Sequence, residues 1–332
     1  MSQAEPAPAT APWAPYFDSC DDVRLPETDD VFRVYQIRSQ AGPLFIMHHG
    51  GGHSALTWAL VSAHIKSQLQ NDFSVLCMDC RGHGSTHTSD DDNLSLAQLA
   101  DDLANVVNFL YPTLPEQVIL VGHSMGGPVV VDAASRKLIK NVLGVVVIDV
   151  VEGTAIDSLQ HMRSLIRSRP SRFKSPAEAI DWALHSNTVK NHEAASVSIP
   201  SQLVPVMGAD SSKVLYYEWR AKLLNSEPYW MGWFTDLSLK FLTVRGARLL
   251  ILAGTDRLDK PLTIGQMQGK FQMTIYPESG HAIQEDVPHK VGDSLIEFWK
   301  RNQPLKLPIK KFPIPANPPK QHAMKLEPAV RD

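Results

Sequence analysis

The stretch VILVGHSMGGPVVVDAASRKL, residues 118–138, decides how this chain is read. VILVG is a β-rich apolar run, and GGPVVVDAASRKL continues as a helix. Gly122-His123-Ser124-Met125-Gly126 therefore stands at a strand–turn–helix junction. The pattern G-x-S-x-G alone is weak, since composition would produce it in a chain this long about one time in ten. Its setting makes it specific. A nucleophile elbow reverses the chain so sharply that the residues two before and two after the serine must be nearly free of side chain. The hydroxyl then stands at the sheet edge, near a helix N-terminus. Ser124 is the candidate nucleophile.

The same alternation runs outward in both directions. β-rich runs occur at Val31–Ile37, Leu44–His48, Ser74–Met78, Gln117–Val121, Leu143–Ile148, Leu249–Ala253 and Gln272–Tyr276. Helical stretches lie at Trp58–Leu69, Leu94–Leu110, Met125–Leu138, Pro261–Met267 and Pro288–Lys300. Leu143–Ile148 is nearly all apolar, as a parallel strand covered on both faces should be. Strands alternating with helices predict a mostly parallel, doubly wound α/β sheet. The rhythm stops between about Glu152 and Gly246, where no strand is expected and helical periodicity recurs at Ile156–Ile166 and Pro176–Leu184. Such an insertion reads as a helical cap over the carboxyl edge of the sheet, where ligands bind in folds of this kind. Seven aromatics crowd into Tyr216–Phe234. They read as cap core at helical spacing, with one or two of them available to anchor a partner.

A serine hydroxyl becomes nucleophilic only beside a base. His281 follows the Gln272–Tyr276 strand in Pro277-Glu278-Ser279-Gly280-His281 and precedes the closing helix, which makes it the candidate base among thirteen histidines. His123 reads as a packing residue within the elbow. Two aspartates compete to orient the base. Asp149 ends the Leu143–Ile148 strand, and Asp256 follows the Leu249–Ala253 strand beside Arg257. On chemistry alone the two are even. His48-His49-Gly50-Gly51-Gly52-His53 resembles the HGGG loop of esterases, whose glycines let backbone amides approach a developing oxyanion. The amides of Gly51 and Met125 are the expected donors. His48, His49 and His53 lie across a triglycine rather than on a helix, and no carboxylate cluster follows, so no metal is expected. No Gly-Lys-Ser/Thr follows the glycines, and no cofactor is expected.

The 332 residues carry a net charge of −3, with 43% hydrophobic and 20% charged residues. That balance argues against nucleic-acid binding. Cys20, Cys77 and Cys80 form no disulfide framework, and the C-x-x-C pair reads as buried thiols in a reducing compartment. No secretory signal and no apolar run of about 18 residues is present, which predicts a soluble cytoplasmic protein without a membrane span. Residues 1–15 are rich in Ala and Pro and should be disordered, with the folded domain running over 16–302. Residues 303–332 hold seven prolines and a basic excess. They read as a solvated extension, with a peptide ligand or a nuclear signal as the alternatives.

Several stretches together resemble the protein phosphatase methylesterase family: HHGGGHSALTWA (48–59), VGHSMGGPVV (121–130), IDVVEGTAID (148–157), YYEWRAKL (216–223), YWMGWF (229–234), LILAGTDRLDKPLTIGQMQGKFQM (250–273) and GHAIQED (280–286). The resemblance implies the α/β-hydrolase fold with a helical cap, about 152–246, inserted after the sixth strand. It implies a serine hydrolase that demethylates the C-terminal leucine methyl ester of the type 2A protein phosphatase catalytic subunit, with Ser124, Asp149 and His281 as triad. It thereby favours Asp149 over Asp256. Trp219, Arg220, Trp230 and Trp233 are the cap residues expected to meet the substrate. Asn187–Ser212 departs from the family pattern: it is short and lacks the acidic low-complexity insert of some relatives. A generic small-molecule carboxylesterase would use the same triad. A non-catalytic phosphatase-binding module would not need one.

Overall fold

Aliphatic runs with no polar interruption form the centre of the sheet. The computed structural model describes residues 11–26, 28–70, 72–208, 213–254 and 258–304. In chain order the strands are β1 (Ser19–Arg24), β2 (Val31–Ile37), β3 (Leu44–His48), β4 (Ser74–Met78), β5 (Val118–His123), β6 (Val142–Ile148), β7 (Leu203–Met207), β8 (Val214–Trp219), β9 (Ala247–Leu252) and β10 (Gln272–Ile275). Among the described residues eight of them build one sheet in the order β1-β2-β4-β3-β5-β6-β9-β10. β1, β2 and β4 pair antiparallel, and every later pair in that order is parallel.

The period of two along each strand divides the core. Leu44, Ile46, Val118, Leu120, Val145 and Val147 face one apolar layer, and Phe45, Met47, Ile119, Val121, Val146 and Ile148 face the other. Helices cover both layers: α1 (Ala59–Leu69) and α11 (Pro288–Asn302) on the second, α2 (Leu96–Leu110) and α3 (Gly126–Ser135) on the first. Full burial of each aliphatic side chain contributes roughly 1.5–3 kcal/mol, so these central strands anchor whatever stands at their carboxyl ends.

β1 escaped the sequence reading because SCDDVR is mostly polar. It forms as an edge strand in which Asp22 is paired opposite Arg33, and the guanidinium donates to both carboxylate oxygens at 2.7 and 2.9 Å. Residues 12–16 form a turn, and Trp13 meets the Tyr35 ring edge-on at 6.5 Å. Composition predicts disorder up to residue 15; the described residues begin at 11, and Trp13 among them packs against the core.

The insertion follows β6, the sixth strand. It comprises α4 (Glu152–Ser168), α5 (Pro176–His185), α6 (His192–Ser198), β7, β8, α7 (Trp230–Phe234) and α8 (Leu237–Thr243), before the chain returns through β9, α9 (Lys260–Met267), β10 and α10 (Ile283–Asp286) to α11. The strand-free cap expected from sequence is corrected here, since β7 and β8 pair antiparallel. Pro205 interrupts the first, and the aromatics of the second imitated a helical cluster. Tyr217 and Trp219 pack in alternation on a strand instead, with Phe173 at 5.2 Å and Trp182 at 5.6 Å from the Trp219 ring.

The chain divides after Asn302, and nearly all of Gln303–Asp332 lies outside the described residues. Among the described residues no helix is long and apolar enough to cross a membrane. Cys77 and Cys80 are free, buried thiols.

Candidate active site

β5 ends at His123, and Ser124 takes φ +50°, a left-handed conformation that non-glycine residues rarely adopt. Two glycines make the turn sterically feasible. A Cβ on Gly122 would stand 2.1 Å from the Gly126 carbonyl oxygen, and one on Gly126 would stand 2.4 Å from that of His48. The Ser124 amide donates to the Ile148 carbonyl on β6 (3.0 Å), which ties the strained residue to the neighbouring strand.

The structure brings together the three residues singled out from the sequence. His281 Nδ1 donates to Asp149 Oδ2 at 2.7 Å, and His281 Nε2 faces Ser124 Oγ at 3.0 Å. Asp149 leaves β6 with φ +51°, its amide donating to the Ile251 carbonyl (2.8 Å) and its Oδ1 accepting from the Ala253 amide (3.1 Å). The Asp149 side chain is fully buried while that of His281 is 54% exposed, so the carboxylate is held from within and the imidazole is presented to the cleft. Asp256 lies outside the described residues.

The base loop is fastened from behind. His123 Nε2 donates to the His281 carbonyl (2.9 Å), and Gln284 Nε2 donates to His123 Nδ1 (3.3 Å). Burial first, then the positive charge of a protonated His281, pushes His123 well below the usual histidine range, so it stays neutral and keeps this donor arrangement. It packs within the elbow, as read from sequence.

The glycine loop is pinned by histidines. His83 Nε2 accepts from the Gly52 amide (2.9 Å), and His49 donates to the Gly50 carbonyl (2.8 Å) while accepting from the Cys80 amide (3.0 Å). His48 donates to the His49 carbonyl (2.9 Å), and His53 Nδ1 lies 3.3 Å from the Glu285 carboxylate. Burial pulls His48 and His83 down to about 4, and His49 well below the ordinary value. With the Gly52 amide engaged, the Gly51 and Met125 amides remain. Among the described residues neither donates to a protein acceptor. No group of three or more His, Cys, Asp or Glu among the described residues is placed to hold a metal ion.

Gly51, Ser124, Met125 and His281 open onto an apolar cavity of about 180 Å³, closed by Met162, Ile166, Leu223, Trp230, Trp233 and Phe234 from the cap. That volume is below the roughly 300–1,000 Å³ of drug-sized ligand pockets and suits one aliphatic side chain. Trp230 and Trp233 thus reach the site. Their indole N–H groups are satisfied by Ser226 Oγ (2.7 Å) and the Leu94 carbonyl (2.6 Å). Arg220 does not reach it: its guanidinium is bound to Asp91 (2.7 Å) and the Thr86 carbonyl (2.9 Å), joining the cap to the β4–α2 connection. Trp219 lines a neighbouring cavity with Arg169, a residue that sequence reading missed because Ser-Arg-Pro-Ser carries no signal of its own. Met162, Ile166 and Leu223 were missed for the same reason; only the fold gathers them.

Residues 45–293 match the model of the alpha/beta hydrolase family. Among solved structures, E-2-(acetamidomethylene)succinate hydrolase superposes with a TM-score of 0.68 at 18% identity, covering 85% of this chain and 99% of that one. A Mycobacterium tuberculosis esterase does so with 0.62 at 17%, covering 85% and 92%. At such identities they speak for the fold alone. Protein phosphatase methylesterase 1 of Bos taurus is 42% identical over 330 residues, spanning 88% of this chain and 86% of its own. The Schizosaccharomyces pombe protein of that name is 45% identical over 271 residues, spanning 81% and 78%. With the hydrolase sheet, the elbow and the cap in place, a likeness of this extent means that the chain belongs to the protein phosphatase methylesterase family of alpha/beta hydrolases.

Proposed function

We propose that this protein is a serine hydrolase that removes the methyl ester from the C-terminal leucine of a type 2A protein phosphatase catalytic subunit. The observation that carries the reading is the unbroken Ser124–His281–Asp149 hydrogen-bond chain opening onto a cavity sized for one aliphatic side chain. The family membership supports the substrate.

The mechanism is two-step acyl transfer. His281 Nε2 takes the Ser124 proton as Oγ attacks the ester carbonyl carbon, and Asp149 stabilises the imidazolium that forms. The Gly51 and Met125 amides hold the oxyanion. Collapse of the tetrahedral intermediate breaks the acyl–methoxy bond, and His281 returns the proton to the leaving methanol. Water then attacks the acyl-enzyme by the same route and releases the carboxylate and Ser124. The apolar cap residues around the cavity receive the leucine side chain and keep bulk water from it. The reading extends to a reducing, cytoplasmic setting, supported by three cysteines that stay free.

The test is incubation with carboxymethylated catalytic subunit and mass spectrometry of its C-terminal peptide. A mass loss of about 14 Da, the difference between a methyl ester and its acid, is expected from the wild type and not from Ser124→Ala. Substantial demethylation by Ser124→Ala would overturn the scheme. Cleavage of small aryl esters with no action on the subunit would move the protein to a generic carboxylesterase. Binding without any turnover would make it a non-catalytic module.

A further inference from the structure

Beside the acyl cavity, and sharing Ile166 and Leu223 with it, lies a second cavity of about 390 Å³. Its charged lining is Arg167, Arg169, Glu218 and Lys222. Lys222 Nζ engages Glu218 at 2.7 Å, so two guanidinium groups remain in excess. Arg169 is the inner one. It follows α4, and its guanidinium carbon lies 3.9 Å over the Trp219 ring. Its Nη1 stands 3.2 Å from the point a Cβ on Gly52 would occupy. Among the described residues this guanidinium makes no hydrogen bond and no ion pair. Arg220, which does not line this cavity, is by contrast matched by Asp91.

An inward cation without an acceptor is unusual, because removing a charge from water is unfavourable unless it is paired. Burial lowers the Arg169 pKa to about 10, which still leaves it charged at neutral pH. Stacking on Trp219 uses only the face of the guanidinium plane. Its N–H edge stays available, and that fork matches a carboxylate with two parallel hydrogen bonds. The leaving group of the proposed reaction is only a methoxy, so all the rest of the substrate lies on the acyl side. The two cavities share Ile166 and Leu223, so a chain whose last side chain fills the apolar one has its preceding residues, at about 3.3 Å each, within reach of the other.

We propose that Arg169 and this second cavity form a subsite for a carboxylate-bearing side chain of the substrate, one or more residues before the esterified one. The inference rests on the methylesterase reading. It makes the enzyme selective for an acidic C-terminal segment rather than for any chain ending in an aliphatic methyl ester.

The test is a scan of six-residue peptide methyl esters ending in leucine. Asp is placed at each of the five preceding positions in turn, each against its Asn counterpart, and kcat/KM is measured by methanol release. The wild-type protein should prefer Asp at one position by about tenfold to a hundredfold, the worth of one charge-assisted pair. In Arg169→Gln that ratio should fall to about one, and Arg169→Glu should prefer Lys over Asp at the same position. Each ratio is taken within one variant, so a change in overall rate cancels. A wild-type ratio near one at every position overturns the subsite by itself, whatever the variants do, and leaves the methylesterase reading standing. An Asp preference that survives in Arg169→Gln overturns the role of Arg169. No methanol from any peptide, with the intact subunit still demethylated, overturns the subsite and leaves the reading standing; no demethylation of either overturns both.

Discussion

Replacing Asp149 by asparagine is the most discriminating perturbation of the proposed triad, because it changes charge and almost nothing else. Asparagine tolerates the left-handed φ of +51° at this position, so the backbone need not move. The Ala253 amide donates to Oδ1 at 3.1 Å, which requires the side-chain oxygen of the introduced amide to point there. The amide NH₂ then faces His281 Nδ1 in place of Oδ2, now 2.7 Å away. Two donors cannot face each other, so Nδ1 gives up its proton and Nε2 carries it. The imidazole then turns an N–H toward Ser124 and cannot accept the hydroxyl proton. The imidazolium of the transition state also loses its buried counter-charge. In the serine protease triad the same substitution lowers kcat about 10⁴-fold, or about 5 kcal/mol at about 1.4 kcal/mol per factor of ten, and a similar loss is expected here. The assay is kcat on p-nitrophenyl acetate and on a leucine methyl ester peptide at saturating substrate, with thermal unfolding as the check that the fold survives. A loss smaller than about tenfold refutes the tautomer argument. A larger loss in Asp256→Asn than in Asp149→Asn assigns the acid to the other strand end.

Gly126→Ala should leave little folded protein, because its Cβ would fall 2.4 Å and 2.7 Å from the carbonyl oxygens of His48 and His49, both held in buried backbone; soluble yield and the unfolding midpoint measure it. Trp233→Ala empties part of the acyl cavity and frees the Leu94 carbonyl. It should destabilise by about 3–5 kcal/mol and lower kcat/KM for a leucine ester more than for an acetyl ester, and an unchanged ratio between the two would remove Trp233 from the site. Stability should fall as pH drops from about 6.5 toward 4. The four buried histidines His48, His49, His83 and His123 stay neutral in the fold, with His48 and His83 at about 4, while the unfolded chain binds protons at about 6.5. The unfolded state therefore binds more protons across that window, and each histidine removes up to about 1.4 kcal/mol per pH unit on acidification. Asp79, raised to about 6 by burial, binds its proton first in the fold and opposes them, as do Asp102 and Asp286, whose carboxyls burial also raises. Chemical denaturation at pH 7, 6 and 5 reads the net slope, and a flat profile would contradict the burial of these rings as neutral species.

What was legible in the sequence were the features whose cause is local. The apolar runs of β3 to β6 can only be buried, and the glycines around Ser124 can only serve a turn too tight for a Cβ. His281 is marked by its place after the last strand. Asp149 was only half legible, because two strand ends can each present an acid to one histidine, and the choice depends on which reaches 2.7 Å. The cap was the least legible part. β7 and β8 are short, one carries a proline and the other a run of aromatics, so neither shows a clean period of two. Arg220 stands among the cap residues expected from sequence to meet the substrate, but the acid it pairs with, Asp91, lies 129 positions away and is found only in three dimensions. Arg169 was invisible for the converse reason: its interest lies in stacking on Trp219 while making no ion pair among the described residues, which only three dimensions can show.

The division of labour between sheet and cap follows from where strain is stored. Ser124 and Asp149 both occupy left-handed backbone, at roughly 1–3 kcal/mol each, at the carboxyl ends of adjacent parallel strands. Each is fixed by the ladder it leaves: the Ser124 amide bonds to Ile148, and the Asp149 amide bonds to Ile251. Register does the rest, with His123 opposite Ile148 and Ile148 opposite Ile251. The distances that proton transfer needs are therefore set by the most deeply buried part of the core, where a small shift would disturb two apolar layers at once. The cap touches the triad only at second hand, where the Lys190 amide donates to Asp286 (2.7 Å) and Lys190 Nζ to the Glu278 carbonyl (2.8 Å) on the loop that carries His281. None of the distances from Ser124 to Asp149 passes through a residue between Glu152 and Gly246. Substitutions in the sheet should hence lower kcat on every ester alike, whereas those in Met162, Ile166, Leu223 or Trp230 should act on the choice of acyl group and leave the response to pH of the chemical step where it was.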